Sequence, residues 1–334
     1  MNALQITAQY LGKARVSANF VAINEKAMEQ AALVQARLDA GETLSPLAGM
    51  PIALQDNIFV QGMPCACGSA MMGDYMPTFD ADVVKKLQVA GLIIIGKLGM
   101  NEFADSPQAA AAVAADEIPL ALATDCRAAC AQHGVWAIKP TYGAVSRVGL
   151  VANISSMDAI GPIARDVKDC VALLEIIADC NLAQPVGADV NPPAFPNLAH
   201  AAAACEIISC AEASANLQKF DGISLGKRSA KAENLSETYK LSRGEGFGFA
   251  VKKRVLFGAY VLSGGNYDVY YHKALQVRAQ IKTALEGIST VELPVDEHHN
   301  CLANLTGHPA IVKPGGQQVM GAAFTDIALA GGAA

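Results

Sequence analysis

The sequence predicts an α/β layered fold, and three observations carry that expectation. A short amphipathic helix at Ala81–Ala90 is closed by Gly91 and followed at once by Leu92–Ile95, a wholly apolar, β-branched run of the kind buried on both faces of a sheet. An earlier apolar run, MPIALQDNIFV at 50–60, breaks into the polar triplet Gln55-Asp56-Asn57, as a buried strand does where it opens into a loop. The composition, 52% hydrophobic against 17% charged over 334 residues, supplies apolar surface for one large core or two modest ones. Helices alternating with such strands pack as layers on a sheet.

The remaining elements follow in chain order. Residues 24–40 place Ala27, Ala31, Val34 and Leu38 on one helical face with charges opposite and Gly41 as a stop, which predicts a surface helix. At Asp166–Ala178 apolar residues recur at Val167, Cys170, Val171, Leu174 and Ile177 behind an acidic first turn, a helix that closes the first half of the chain. Proline and polar residues crowd 181–198, which reads as a linker between an N-terminal part, 1–180, and a mostly helical remainder, 199–314. That remainder has amphipathic stretches around Ser236–Leu262 and Asp268–Leu285. Residues 315–334 are rich in Gly and Ala with weak periodicity and read as a poorly ordered tail.

Charge and targeting signals narrow the function. A net charge of −6 and a pI near 5.5 give no overall basic field for nucleic acid, and the short cluster Lys252-Lys253-Arg254 reads as a solvated helix face. The first residues contain no unbroken apolar leader, and no run of 18 apolar residues occurs, which points to the cytosol. Nine cysteines, an odd number without a repeated pair spacing, suit reduced thiols in that compartment.

Four stretches carry a resemblance: 47–58 (LAGMPIALQDNI), 83–104 (VVKKLQVAGLIIIGKLGMNEFA), 138–151 with 155–167 (IKPTYGAVSRVGLV, SSMDAIGPIARDV), and 208–223 continuing through 242–262. The first three resemble the amidase-signature enzymes. The fourth, extended by NYDVYYHKALQVRAQI at 266–281, is similar to the A subunit of the glutamyl-tRNA(Gln) amidotransferases in particular. The resemblance implies α/β/α layers around a mixed sheet, here truncated, and an amidase whose serine nucleophile is activated through a second serine by a lysine. An amide carbon needs an activated hydroxyl, and a buried neutral lysine can accept its proton. Glycine-loop N–H groups would hold the oxyanion.

Set against that pattern, the catalytic positions are altered. Gln55 stands at the lysine position, and its amide has no basic nitrogen. The glycine- and serine-rich loop expected before Ala109 is missing, so that Ser106 is the only candidate for the bridging serine; its alternative reading is a helix cap before Pro107. The nucleophile turn expected after Thr124-Asp125 is replaced by Cys126 to His133, leaving no nucleophile serine. Cys126 or Cys130 with His133 forms a conceivable thiol and base, although buried small hydrophobes are the commoner role of free cysteine. Arg278 matches an arginine that the resemblance associates with the glutamine carboxylate, or is a solvated side chain on an amphipathic helix. Leu225 replaces a family tyrosine. Asp296, His298, His299, Cys301 and His308 are metal-capable but fit no zinc spacing, so no metal is expected.

Three readings stay open on this sequence. One is a damaged or divergent amidotransferase A subunit, which the resemblance would assign to releasing ammonia from glutamine. A B subunit would then hold the tRNA and use ATP and Mg to convert Glu-tRNA(Gln) to Gln-tRNA(Gln), with a C subunit completing a heterotrimer; no cofactor belongs to this chain. The second is a catalytically inactive amidase-like scaffold or binding subunit. The third is a coding sequence with compensating frame errors across stretches such as DCRAACAQH.

Overall fold

The computed structural model describes residues 2–73, 75–184, 198–286 and 290–333. Nine strands form one mixed sheet: β1 (Phe20–Ile23), β2 (Pro51–Gln55), β3 (Ile93–Leu98), β4 (Leu120–Thr124), β5 (Trp136–Lys139), β6 (Ile160–Ala164), β7 (Thr290–Pro294), β8 (Ala310–Lys313) and β9 (Gln317–Gly321). Their spatial order is β1-β3-β2-β4-β6-β5-β8-β9-β7. Twelve α-helices accompany them among the described residues. In the first half these are α1 (Ala3–Val16), α2 (Ala27–Asp39), α3 (Asp82–Val89), α4 (Pro107–Ala114), α5 (Arg127–His133) and α6 (Val167–Ile177). In the second they are α7 (Leu198–Asn216), α8 (Leu235–Gly246), α9 (Phe249–Leu262), α10 (His272–Ala284), α11 (Glu297–Thr306) and α12 (Asp326–Ala333).

The central strands explain the layers. All five residues of β2 and all six of β3 are buried, and their side chains alternate between two cores as the pleat requires. Ile52, Leu54 and Ile94 point into one core with α3, α6 and α12, whereas Ala53, Ile93 and Ile95 point into the other with α1, α2, α4 and α5. Helix ends are fixed locally. Asn2 and Gln5 form a reciprocal capping box on α1, and the Asp166 carboxylate accepts the Lys168 N–H at the start of α6.

β2 runs parallel to both β3 and β4, so three strands end on the same edge, with Gln55 level with Leu98 and Leu54 level with Leu122. Ligands of open α/β sheets bind outside such carboxyl ends. The second half of the chain rejoins this sheet, because β8 pairs with β5 and β9 with both β8 and β7. The segment after 314 is therefore built in: β9 is a two-neighbour strand, and α12 buries Leu329, Ala330 and Ala333. Its weak periodicity reflects packing through small residues. Most of the linker-like segment, 185–197, lies outside the described residues.

Candidate active site

Gln55, the last residue of β2, is fully buried and uses both ends of its amide. Its Oε1 accepts the Thr124 N–H at 2.6 Å and the Thr124 hydroxyl at 3.0 Å. Its Nε2 donates to the Ala104 carbonyl at 3.0 Å and lies 3.7 Å from the Met100 sulfur. The position thus requires an acceptor toward β4 and a donor toward the 100–104 loop, which an amide supplies and an ammonium does not.

Ser106 is also fully buried, at the N-terminus of α4. Its hydroxyl donates to the Gly99 carbonyl at 2.5 Å and accepts the Ala109 N–H at 3.2 Å, an N-cap followed by proline at the first helical position. Beyond Thr124 the chain enters α5. Cys126 stands at its N-terminus with its thiol 3.1 Å from the Thr124 carbonyl and 3.4 Å from that of Ser106, and burial pushes this thiol and that of Cys130 far above the ordinary range. His133 is exposed at the far end of the same helix, so the structure does not bring the imidazole to either buried sulfur.

Next to Cys126, Arg127 is 1% exposed and makes a bidentate pair with Asp125 at 2.8 and 3.1 Å. Its remaining donors reach the Gln318 amide oxygen, the Asn300 carbonyl and the Asn304 amide oxygen, while Asn304 donates back to Asp125 at 2.7 Å. Against the cost of desolvation, the guanidinium holds the Asp125 carboxyl well below the usual range. Lys139, at the end of β5, is buried and donates to the carbonyls of Pro140 and His308 at 3.3 and 3.2 Å. Burial, reinforced by nearby Arg127, pushes its ammonium down to about 7. A second buried lysine, Lys97, donates to the Ile58 carbonyl at 2.6 Å and lies 3.7 Å from Asp56.

A cavity of about 200 Å³ remains at these strand ends, lined among others by Asn57, Thr124, Asp125, Val151, Asp158 and Arg254. Burial raises the Asp158 carboxyl to about 6, although it accepts the N–H groups of Asn153 and Ile154. Arg278 is not among the residues lining this cavity. Its guanidinium donates to the Leu305 carbonyl at 2.7 Å and to Ser156 at 2.8 and 3.2 Å, tying α10 to α11 and to the loop before β6. Asp296 caps α11 and holds His299 at 2.7 Å; among the described residues no three His, Cys, Asp or Glu side chains are grouped to hold a metal ion. Sequence reasoning missed Thr124, Arg127 and Lys139. The charge of Arg127 and Lys139 inside apolar runs was the available signal.

Comparison with known proteins agrees with this architecture. The chain matches the profile of the Amidase family over residues 5–109, 106–186 and 181–293. It is 38% identical to the A subunit of the glutamyl-tRNA(Gln) amidotransferase of Agathobacter rectalis, over 80% of this chain and 69% of that one. To the A subunit of the Methanosarcina barkeri enzyme it is 32% identical, over 98% of this chain and 92% of that one. That alignment runs over 442 residues, so with 334 residues here more than a hundred of its positions are filled by the relative alone. Among solved structures, a crystal structure of an amidase superposes with a TM-score of 0.81 at 20% identity, covering 99% of this chain and 94% of that one. The A subunit of the Thermotoga maritima amidotransferase superposes at 0.69 and 23% identity, covering 98% and 90%. These superpositions establish the fold.

Proposed function

The chain belongs to the amidase family, and from that premise we propose that it serves as the amidase-fold component of a glutamyl-tRNA(Gln) amidotransferase without hydrolysing glutamine by a serine mechanism. Its similarity to proteins named as the A subunit of that enzyme supports the assignment to the assembly. The single observation that carries the loss of chemistry is Gln55. A base at this position would have to accept a proton from a bridging hydroxyl. The Gln55 oxygen instead accepts both Thr124 donors, and its nitrogen has no lone pair to offer.

Two further arrangements support the same reading. Ser106 spends its hydroxyl proton on Gly99 and its oxygen on Ala109, which is the work of a cap. The Cys126 thiol is held protonated by burial and so lacks the thiolate a nucleophile needs. The packing also suits a scaffold role, because β4 pairs with β2 on one side and β6 on the other, so the centre of the sheet is continuous. On this reading the presumptive B and C subunits are its partners, tRNA is contacted through the B subunit, and ATP and Mg act there.

The test is coexpression with those subunits. The assembly is expected to form, to show no glutaminase turnover from this chain, and to leave it unlabelled by a fluorophosphonate serine probe. Glutamine hydrolysis at ordinary amidase rates, or labelling of Ser106, overturns the proposal. Failure of the chain to associate with either partner removes the assembly assignment while leaving the loss of chemistry standing.

A further inference from the structure

We propose that Cys205 and Cys301 form a redox-active dithiol that closes reversibly into a disulfide between α7 and α11, with Cys205 as the attacking sulfur. The two cysteines lie far apart in sequence but meet where α7 packs on α11, and both border the apolar cluster that contains Met157, Leu302 and Leu305. Their thiols share a side-chain hydrogen bond. The Cys205 sulfur also lies 3.9 Å from the Met157 sulfur, which the Ser209 hydroxyl, one turn further along α7, approaches to 3.8 Å. Exposure separates this pair from the other thiols. Of the nine cysteines, Cys205 and Cys301 are half-buried, Cys180 is exposed and the remaining six are buried. The Cys65 and Cys67 sulfurs also approach each other, to 3.8 Å, but both side chains are sealed from solvent and from any oxidant dissolved in it.

The two sulfurs are not equivalent. The hydrogen bond from Cys301, aided by that from the Ser209 hydroxyl, draws the Cys205 thiol below its ordinary range against the cost of burial. The Cys301 thiol is pushed far up, first by its bond to Cys205 and then by burial, so it keeps its proton. A thiolate that attacks beside a thiol that resolves is the arrangement thiol–disulfide exchange requires. In the first step the Cys205 sulfur attacks a low-molecular-weight disulfide, forming a mixed disulfide and releasing one small thiolate, which takes up the Cys205 proton. In the second, Cys301 attacks the Cys205 sulfur, the bond between the two protein sulfurs forms, and the second small thiolate leaves with the Cys301 proton. Two protein thiols are oxidised and one small disulfide is reduced to two thiols. Closure reaches the buried charge cluster, because α11 also carries Asn300 and Asn304, which hold Arg127. The bond pins that helix to α7 and fixes two partners of the Asp125–Arg127 pair. None of this rests on the amidotransferase assignment.

The experiment exposes the full chain, with its cysteines first reduced, to oxidised glutathione over a series of glutathione redox ratios, then alkylates it and maps the peptides by mass spectrometry. A peptide linked through Cys205 and Cys301 is expected to form before any other, and dithiothreitol should remove it. Buried Cys65, Cys67, Cys126 and Cys130 should be alkylated only after denaturation. Cys301→Ser should leave glutathione held on Cys205, whereas Cys205→Ser should leave Cys301 modified roughly tenfold more slowly than Cys205 is in the first variant. Should either variant misfold by circular dichroism, the order of oxidation in the unmodified chain still decides the question. Absence of the linked peptide at every ratio, prior formation of a Cys65–Cys67 bond, or faster modification of Cys301 than of Cys205 in the folded single variants would each overturn the proposal.

Discussion

Two buried places at the edge of the same sheet are solved in opposite ways. At the end of β2, Gln55 is neutral and places its acceptor and donor groups on Thr124 and Ala104. Between β4 and β5, Asp125, Arg127 and Lys139 bring three ionisable groups together, and the amine of Lys139 is pushed toward neutrality by burial and by Arg127. The first place has no unmet electrostatic demand. The second carries charge that is compensated on one side and frustrated on the other, so stability there depends on pH and on every partner of Arg127.

The largest expected effect tests the frustrated side. With a folded-state value near 7 against about 10.5 unfolded, the unfolded chain binds the extra proton between those limits, so Lys139 makes stability rise with pH across that window. Relative to Lys139→Met, the unmodified chain should gain roughly 4–5 kcal/mol between pH 7 and 10.5 as an upper bound, read as the difference of two urea unfolding series. A pH-independent difference would show that the lysine is not desolvated. Next, Arg127→Met removes the cation that satisfies Asp125, Asn304, Asn300 and Gln318, and a loss of about 3–5 kcal/mol is expected in the same measurement.

The neutral side should respond more weakly. Gln55→Lys leaves the Thr124 N–H without its acceptor, costing about 1–3 kcal/mol, and restores no glutaminase activity because no serine is freed to act with it. Turnover in that variant would break the contrast. Ser106→Ala should cost only about 1 kcal/mol, the ordinary worth of an N-cap, with no change in any activity of the assembly. If it instead abolished an amidase activity, Ser106 would be more than a cap.

The sequence made the frame legible where a local rule was enough. β2, α3 and α6 lie within a residue or two of the runs read from apolar periodicity, β3 runs three residues past the end read at Ile95, and the Asp166 cap stands where the acidic first turn put it. The contacts that give the site its character join distant segments. Gln55 meets Thr124 across 69 positions, and Arg127 meets Asn304 across 177 and Gln318 across 191. No periodicity encodes such pairs. The pairing of Cys130 with His133 failed for a different reason: the thiol is buried in the core, while the imidazole, in the last turn of α5, is exposed. Residues 315–334 misled because Gly and Ala pack closely without leaving an amphipathic signature.

The clasp between Gln55 and Thr124 has a last consequence, in time instead of energy. The Thr124 N–H, its nitrogen 2.6 Å from a buried side-chain oxygen at the meeting of two parallel strands, is a well-shielded backbone donor. Hydrogen exchange at Thr124 should consequently proceed at the rate set by global opening, the slowest class in the molecule, and a single backbone proton would then clock the unfolding of the entire frame.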